Sequence, residues 1–192
     1  CEHIVCRQSG DMVIPKPVIM LLLATAVIVV LAGCGGSDTQ DEELQPPTPT
    51  PVLSWVDLND RGFAHHNNGE YRLAIEFYTK AIELNPTYAI AYNNRGIAYY
   101  DLGEVQQAIR DFDKSIELDP AIALAYYNRG VAYENLGQFQ QAIRDLDKAI
   151  ELDPTDPLAY YNRGIAKHSL KEYQQAIRDY DKACKLDAAL CP

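Results

Sequence analysis

A period of 34 residues limits what this chain can become more than any other feature. Ala89–Ile122 aligns on Ala123–Asp156 without a gap, with about two-thirds of the positions identical, and the same register runs back to Trp55 and forward to Leu190. Gly62, Gly96, Gly130 and Gly164 are equivalent, as are Ala74, Ala108, Ala142 and Ala176. Tyr78, Phe112, Leu146 and Tyr180 share another position, Ala81, Ser115, Ala149 and Ala183 the next, and Pro86, Pro120 and Pro154 close the first three units. A fixed period of this length marks one supersecondary unit repeated, each unable to bury its apolar face alone.

The residue types within a unit specify a helical hairpin. In the second unit, helix A is expected over Ala89–Leu102 and helix B over Gln106–Asp119. Small residues at Gly96, Ala108 and Ser115 stand where two helix axes must approach closely, and Tyr99 and Phe112 fill the space beside them. Gly103 and Gly137 let the chain reverse after helix A, because positive φ costs glycine little. Asp119-Pro120 and Asp153-Pro154 stop helix B, since proline cannot continue it and restricts the residue before it.

Tyr92-x-x-Arg95-Gly96-x-x-Tyr99, followed by Ala108-x-x-x-Phe112 and Pro120, resembles the pattern of the tetratricopeptide repeat family. The resemblance covers four units, 55–88, 89–122, 123–156 and 157–190. It implies an all-α, right-handed solenoid that binds other proteins, with its A helices along the concave side. The end units depart from the pattern: His65 and Asn68 replace Tyr and Leu in the first, and Lys167 and Ala188 replace Tyr and Pro in the fourth.

Carried over residue by residue, the resemblance maps the groove onto Val56, Asn59, Phe63 and His66, and then Ile90, Asn93, Ile97 and Tyr100. The third unit supplies Leu124, Tyr127, Val131 and Glu134, and the fourth Leu158, Tyr161, Ile165 and His168. Asn94, Asn128 and Asn162 lie beside these. An asparagine ladder offers donors and acceptors to an extended peptide backbone or, equally, packs between repeats. Tyr100, Tyr127 and Tyr161 supply hot-spot chemistry, a large apolar area with a polar tip. Some family members grip a C-terminal carboxylate with Lys and Arg on these faces. Here those positions hold Asn59, Leu124 and Asn128, so such a clamp is not expected.

Charge and motifs point away from other functions. With 17 Lys and Arg against 27 Asp and Glu, the net charge of −10 opposes nucleic acid, whose phosphates need clustered cations. No nucleophile elbow, phosphate loop or zinc spacing occurs, so neither catalysis nor a cofactor is expected. His65, His66, Glu134 and His168 do not form a metal face: successive helix residues point about 100° apart and no i, i+4 ligand pair exists. Arg95, Arg129 and Arg163 recur with Asp111, Asp145 and Asp179, and with Asp113, Asp147 and Asp181. Recurrence at the same repeat position reads as structure, an exposed ion pair contributing roughly 0–1 kcal/mol.

The first third of the chain is different in kind; all 13 tyrosines lie beyond residue 70. Lys16 precedes an apolar run from Val18 to Leu31, which would span about 21 Å as a helix and is too short for a membrane-crossing segment of roughly 20 residues. It reads as an export signal over 1–33, with Met12 a better start than Cys1. Leu31-Ala32-Gly33-Cys34 resembles the bacterial lipobox, which implies diacylation of Cys34, and two acyl chains make a stable anchor. Residues 34–54, with Gly35-Gly36-Ser37, four acids and alternating prolines, read as an extended linker. The expected location is the cell envelope, the repeats held outside the cytoplasm by the lipid.

Cys184 and Cys191 remain as a candidate disulfide. It would require the chain to turn back after Leu186 so that the Cα atoms come within about 7 Å. Ile177, Tyr180 and Cys184 on the last helix form a partly apolar end through which copies could associate. Three functional readings follow: a groove that docks a peptide or helix of an envelope protein, a self-assembling module, and an accessory subunit of an enzyme.

Overall fold

The computed structural model describes residues 53–191. The expected export signal, Cys34 and most of the expected linker lie outside these residues. Eight α-helices follow one another: α1 (Trp55–Asn67), α2 (Tyr71–Leu84), α3 (Ala89–Asp101), α4 (Val105–Leu118), α5 (Ala123–Asn135), α6 (Phe139–Leu152), α7 (Pro157–Ser169) and α8 (Tyr173–Leu186). A short 3-10 turn, Ala188–Leu190, ends the described chain. No strand occurs among the described residues, and the helices make a right-handed solenoid of four hairpins.

Close approach inside each hairpin is enforced by the glycine on helix A. A Cβ placed on Gly96 would lie 2.6 Å from the Phe112 ring, and one on Gly62 or Gly164 equally close to Tyr78 or Tyr180. The third hairpin is a little looser, because Leu146 replaces the ring and leaves 3.0 Å. The alanines at 74, 108, 142 and 176 are buried, as are Tyr78, Phe112 and Leu146, so these repeat positions are the core.

Turns and caps repeat with the same period. Gly103 takes φ +84° after α3, and the equivalent position before α8 is Lys171, forced to φ +66°. After each B helix an Asn or Asp turns extended and its side chain accepts from the backbone N–H two residues on. Asn85 serves Thr87, Asp119 serves Ala121, Asp153 serves Thr155, and Asp187 serves Ala189. The fourth turn forms the same way with Ala188 in place of proline, so the Asx turn sustains this exit as much as the proline does. Ser54 and Asp57 form a capping box that starts α1, and Asp156 with Pro157 starts α7.

Each hairpin packs its B helix against the next A helix, and α1, α3, α5 and α7 also touch in succession. The A helices therefore crowd together along one side, which becomes the inside of the curve. Arg95, Arg129 and Arg163 sit at the hairpin joints, and they are not the exposed ion pairs anticipated. The Arg129 guanidinium donates through Nε and Nη2 to Asp145 at 2.7 Å and through Nη1 to Asp113, at 2.6 Å. Arg163 repeats this with Asp179 and Asp147, and Arg95 with Asp111 and Thr79. Each arginine thus ties the B helix of its own repeat to that of the preceding one. It also lies over the ring of Tyr92, Tyr126 or Tyr160, at 5.5–5.7 Å. Burial works against each guanidinium charge, but the bidentate carboxylate outweighs it and holds Arg95 above its ordinary pKa.

Candidate functional site

The inner face of the A helices divides into a buried layer and an accessible one. Asn59, Asn93, Asn94 and Asn128 belong to the buried layer. Asn94 donates its amide to Asn59 Oδ1 at 3.1 Å, Asn128 to Asn93 Oδ1 at 3.0 Å, and Asn162 to the Tyr127 hydroxyl at 2.8 Å. Each bond runs between residues 35 apart and crosses from one repeat to the next. The asparagine ladder is therefore engaged with itself and sets the spacing of the A helices; only Asn162 keeps partial exposure. Tyr127 is 1% exposed, so its ring supports the groove floor and presents no surface.

The accessible layer consists of Phe63, His66, Tyr100, Leu124, Val131, Glu134, Tyr161, Ile165 and His168, with Val56 and Ile90 more open still. A second inter-repeat ladder orders part of it. His66 Nε2 lies 2.7 Å from Asp101, and Tyr100 is hydrogen-bonded to Asn135, again 35 residues on. The sequence mapping placed these first members in the groove but gave no sign of their partners.

Glu134 is the next member of that series, and its position 35 residues on is Ser169. The Ser169 hydroxyl donates instead to the Ile165 carbonyl at 3.1 Å. Burial alone pushes the Glu134 carboxyl above the usual carboxylate range, with no cation pulling it back. Its charge in turn raises the phenols of Tyr100, Tyr127 and Tyr180, each of which burial raises first. Arg95, Arg129, Arg163 and Lys167, on the A helices of the second to fourth repeats, are all bonded to aspartates of the B helices.

Cys184 and Cys191 form a disulfide with Cα atoms 4.7 Å apart, and the chain turns back through Asp187 and Ala188–Leu190 to make it. The returning segment and the rings of Tyr161 and Tyr180, 5.6 Å apart, line a half-open recess of about 250 Å³. Tyr173, Ile177 and Leu186 on α8 remain exposed beyond it. Among the described residues no three His, Cys, Asp or Glu side chains converge as a metal site, and no helix is long and apolar enough to cross a membrane.

A stack of helical hairpins with one continuous, aromatic, concave face is a repeat-built binding module. Models of the tetratricopeptide repeat match residues 123–156 and 157–188, and models described as TPR repeat match 62–103 and 96–137. The chain belongs to the tetratricopeptide repeat family. Among solved structures it is similar to MamA, at 29% identity and TM-score 0.66, covering 70% of this chain and 79% of that one. It is also similar to the first TPR of Spaghetti (RPAP3) bound to the HSP90 peptide SRMEEVD, at 26% identity and TM-score 0.61, covering 62% of this chain and 96% of that one. MamA from Desulfovibrio magneticus RS-1, at 24% identity and TM-score 0.64, shares the fold. No curated protein matches the sequence significantly.

Proposed function

We propose that this protein is a non-catalytic scaffold, held by a lipid on Cys34 outside the cytoplasm, whose concave groove docks a peptide or helix of an envelope partner. The observation that carries the binding reading is the accessible inner layer. Phe63, Tyr100, Leu124, Tyr161 and Ile165 form one apolar and aromatic face that a rigid ladder of buried asparagines holds open. Such a face supplies contact area at little entropic cost, because its backbone is already ordered. The peptide-bound TPR of Spaghetti (RPAP3) supports the same mode of use. The anchoring reading rests on the run from Val18 to Leu31 followed by Ala32-Gly33-Cys34.

A crosslinking pull-down with the full chain, compared with a Tyr100→Ala, Tyr161→Ala double variant, tests the groove. Both rings are half-buried at the surface, so their loss should leave the fold intact and remove the partner; equal recovery would move the site elsewhere. Cys34→Ala tests the anchor and should leave an unlipidated precursor, whereas normal processing would contradict it. The exposed Tyr173, Ile177 and Leu186 favour self-assembly as a second reading, for which sedimentation of the purified chain is the measurement.

A further inference from the structure

The two ends of the array each carry one half of a joint that its interior completes. Between repeats, the arginine of an A helix reaches back to the B helix before it: Arg129 donates to Asp113 and Arg163 to Asp147. Three residues after the arginine comes an alanine, and Ala98, Ala132 and Ala166 are all fully buried. On the B-helix side Ile109 packs with Ala132 and is 8% exposed.

On α8 the same positions lie open. Asp181 stands where Asp113 and Asp147 stand; it is exposed and has no arginine at ion-pair distance among the described residues. Ile177, the counterpart of Ile109, is 51% exposed, and Tyr173 one turn before it is 50% exposed. The complement lies on α1. Arg61 and Ala64 occupy the repeat positions of Arg129 and Ala132, and both are exposed. Arg61 lacks an aspartate in its own hairpin because Phe77 replaces it, and the carboxylate its charge reaches is Asp57, on its own helix.

We propose that copies of this chain join head to tail, α1 of one on α8 of the next, with Arg61 of one copy donating to Asp181 of the other and Ala64 packing against Ile177. The proposal deepens the self-assembly reading and rests on it. Charge complementarity selects a second copy: α8 presents a carboxylate and an isoleucine, and α1 leaves uncovered the arginine and alanine that cover them at the inner joints. Because the two faces differ, the contact is heterologous and propagates into rings or open chains of copies. Cys191 falls at the repeat position of Trp55 and Ala123, so the disulfide-held turn takes the place of the incoming Trp55. The incoming helix therefore engages beyond its first turn, where Arg61 and Ala64 lie.

The test is sedimentation velocity of the full chain, in detergent to cover the apolar run of Val18–Leu31. It is compared with Arg61→Asp and Asp181→Arg, each first shown by circular dichroism to be folded. The wild type should grow past dimers as its concentration rises. Each single variant brings like charges together at the joint and should associate at least about tenfold more weakly. An equimolar mixture of the two variants should recover association, because the changed α1 of one then meets the changed α8 of the other. Wild-type association that stops at a dimer, that either variant leaves unchanged or that mixing fails to restore would overturn the inference while leaving self-assembly in place. A wild type that stays monomeric at every concentration would remove the self-assembly reading and this inference together.

Discussion

Asn128 donates its side-chain amide to Asn93 at 3.0 Å across the joint between the second and third repeats, and neither side chain is more than 3% exposed. The bond fixes how far apart α3 and α5 stand, and so fixes the width of the groove above it. In a solenoid, stability is a sum of repeats and of such joints.

Asn128→Ala should therefore destabilise the array by about 1–3 kcal/mol, because Asn93 Oδ1 is left buried without a donor. Asn162→Ala, at a half-buried position, should cost less. Urea unfolding of both variants gives the comparison; equal losses would contradict the burial difference.

Gly96 and Gly130 occupy the same repeat position but face different partners. Gly96→Ala drives a methyl into the Phe112 ring and should cost roughly 1–3 kcal/mol. Gly130→Ala meets Leu146 at 3.0 Å, which can shift, so its loss should be the smaller of the two. Thermal unfolding of the two single variants decides the order.

Lys171 holds φ +66° where the three preceding hairpins have glycine. Lys171→Gly should raise stability by about 0.5–1 kcal/mol at this exposed turn, since the left-handed backbone costs a lysine more than a glycine. A lower melting temperature would show that the lysine side chain contributes something the turn geometry does not reveal.

Two carboxyls should respond to pH in opposite directions. Burial raises Asp179, but its bonds with Arg163 and Lys167 outweigh burial and hold it below 3.8. Its contribution is present above about pH 4 and is lost as pH falls through the depressed folded value. Glu134 is raised by burial above 4.5, so its ionised form weakens the fold at neutral pH and ceases to do so below about pH 4.5. Glu134→Gln should accordingly raise the melting temperature at pH 7 and have no effect near pH 4. Melting curves of the wild type and this variant across pH 3–8 provide the check.

The hairpins were legible because their determinants are local and repeated. Gly96 opposite Phe112, the reversal at Gly103 and the exit at Asp119-Pro120 each announce a geometry that any 34-residue window carries. Whether Asn93 and Asn128 point into the groove or at each other was not legible, because that depends on the distance between successive A helices, a property of the stacked array. Arg129 misled for the same reason: its second aspartate, Asp113, belongs to the repeat before. Glu134 was placed in the groove from the register, yet its isolation emerges only when Ser169 is seen bonded to Ile165.

The most direct test of the groove is a photo-crosslinking amino acid placed at Ile165, on the inner face, or at Lys148, on the exposed side of α6, in the full chain in living cells. Discrete protein adducts are expected from position 165 and none from position 148. Adducts from 148 alone would contradict it and put the partner on the outer face.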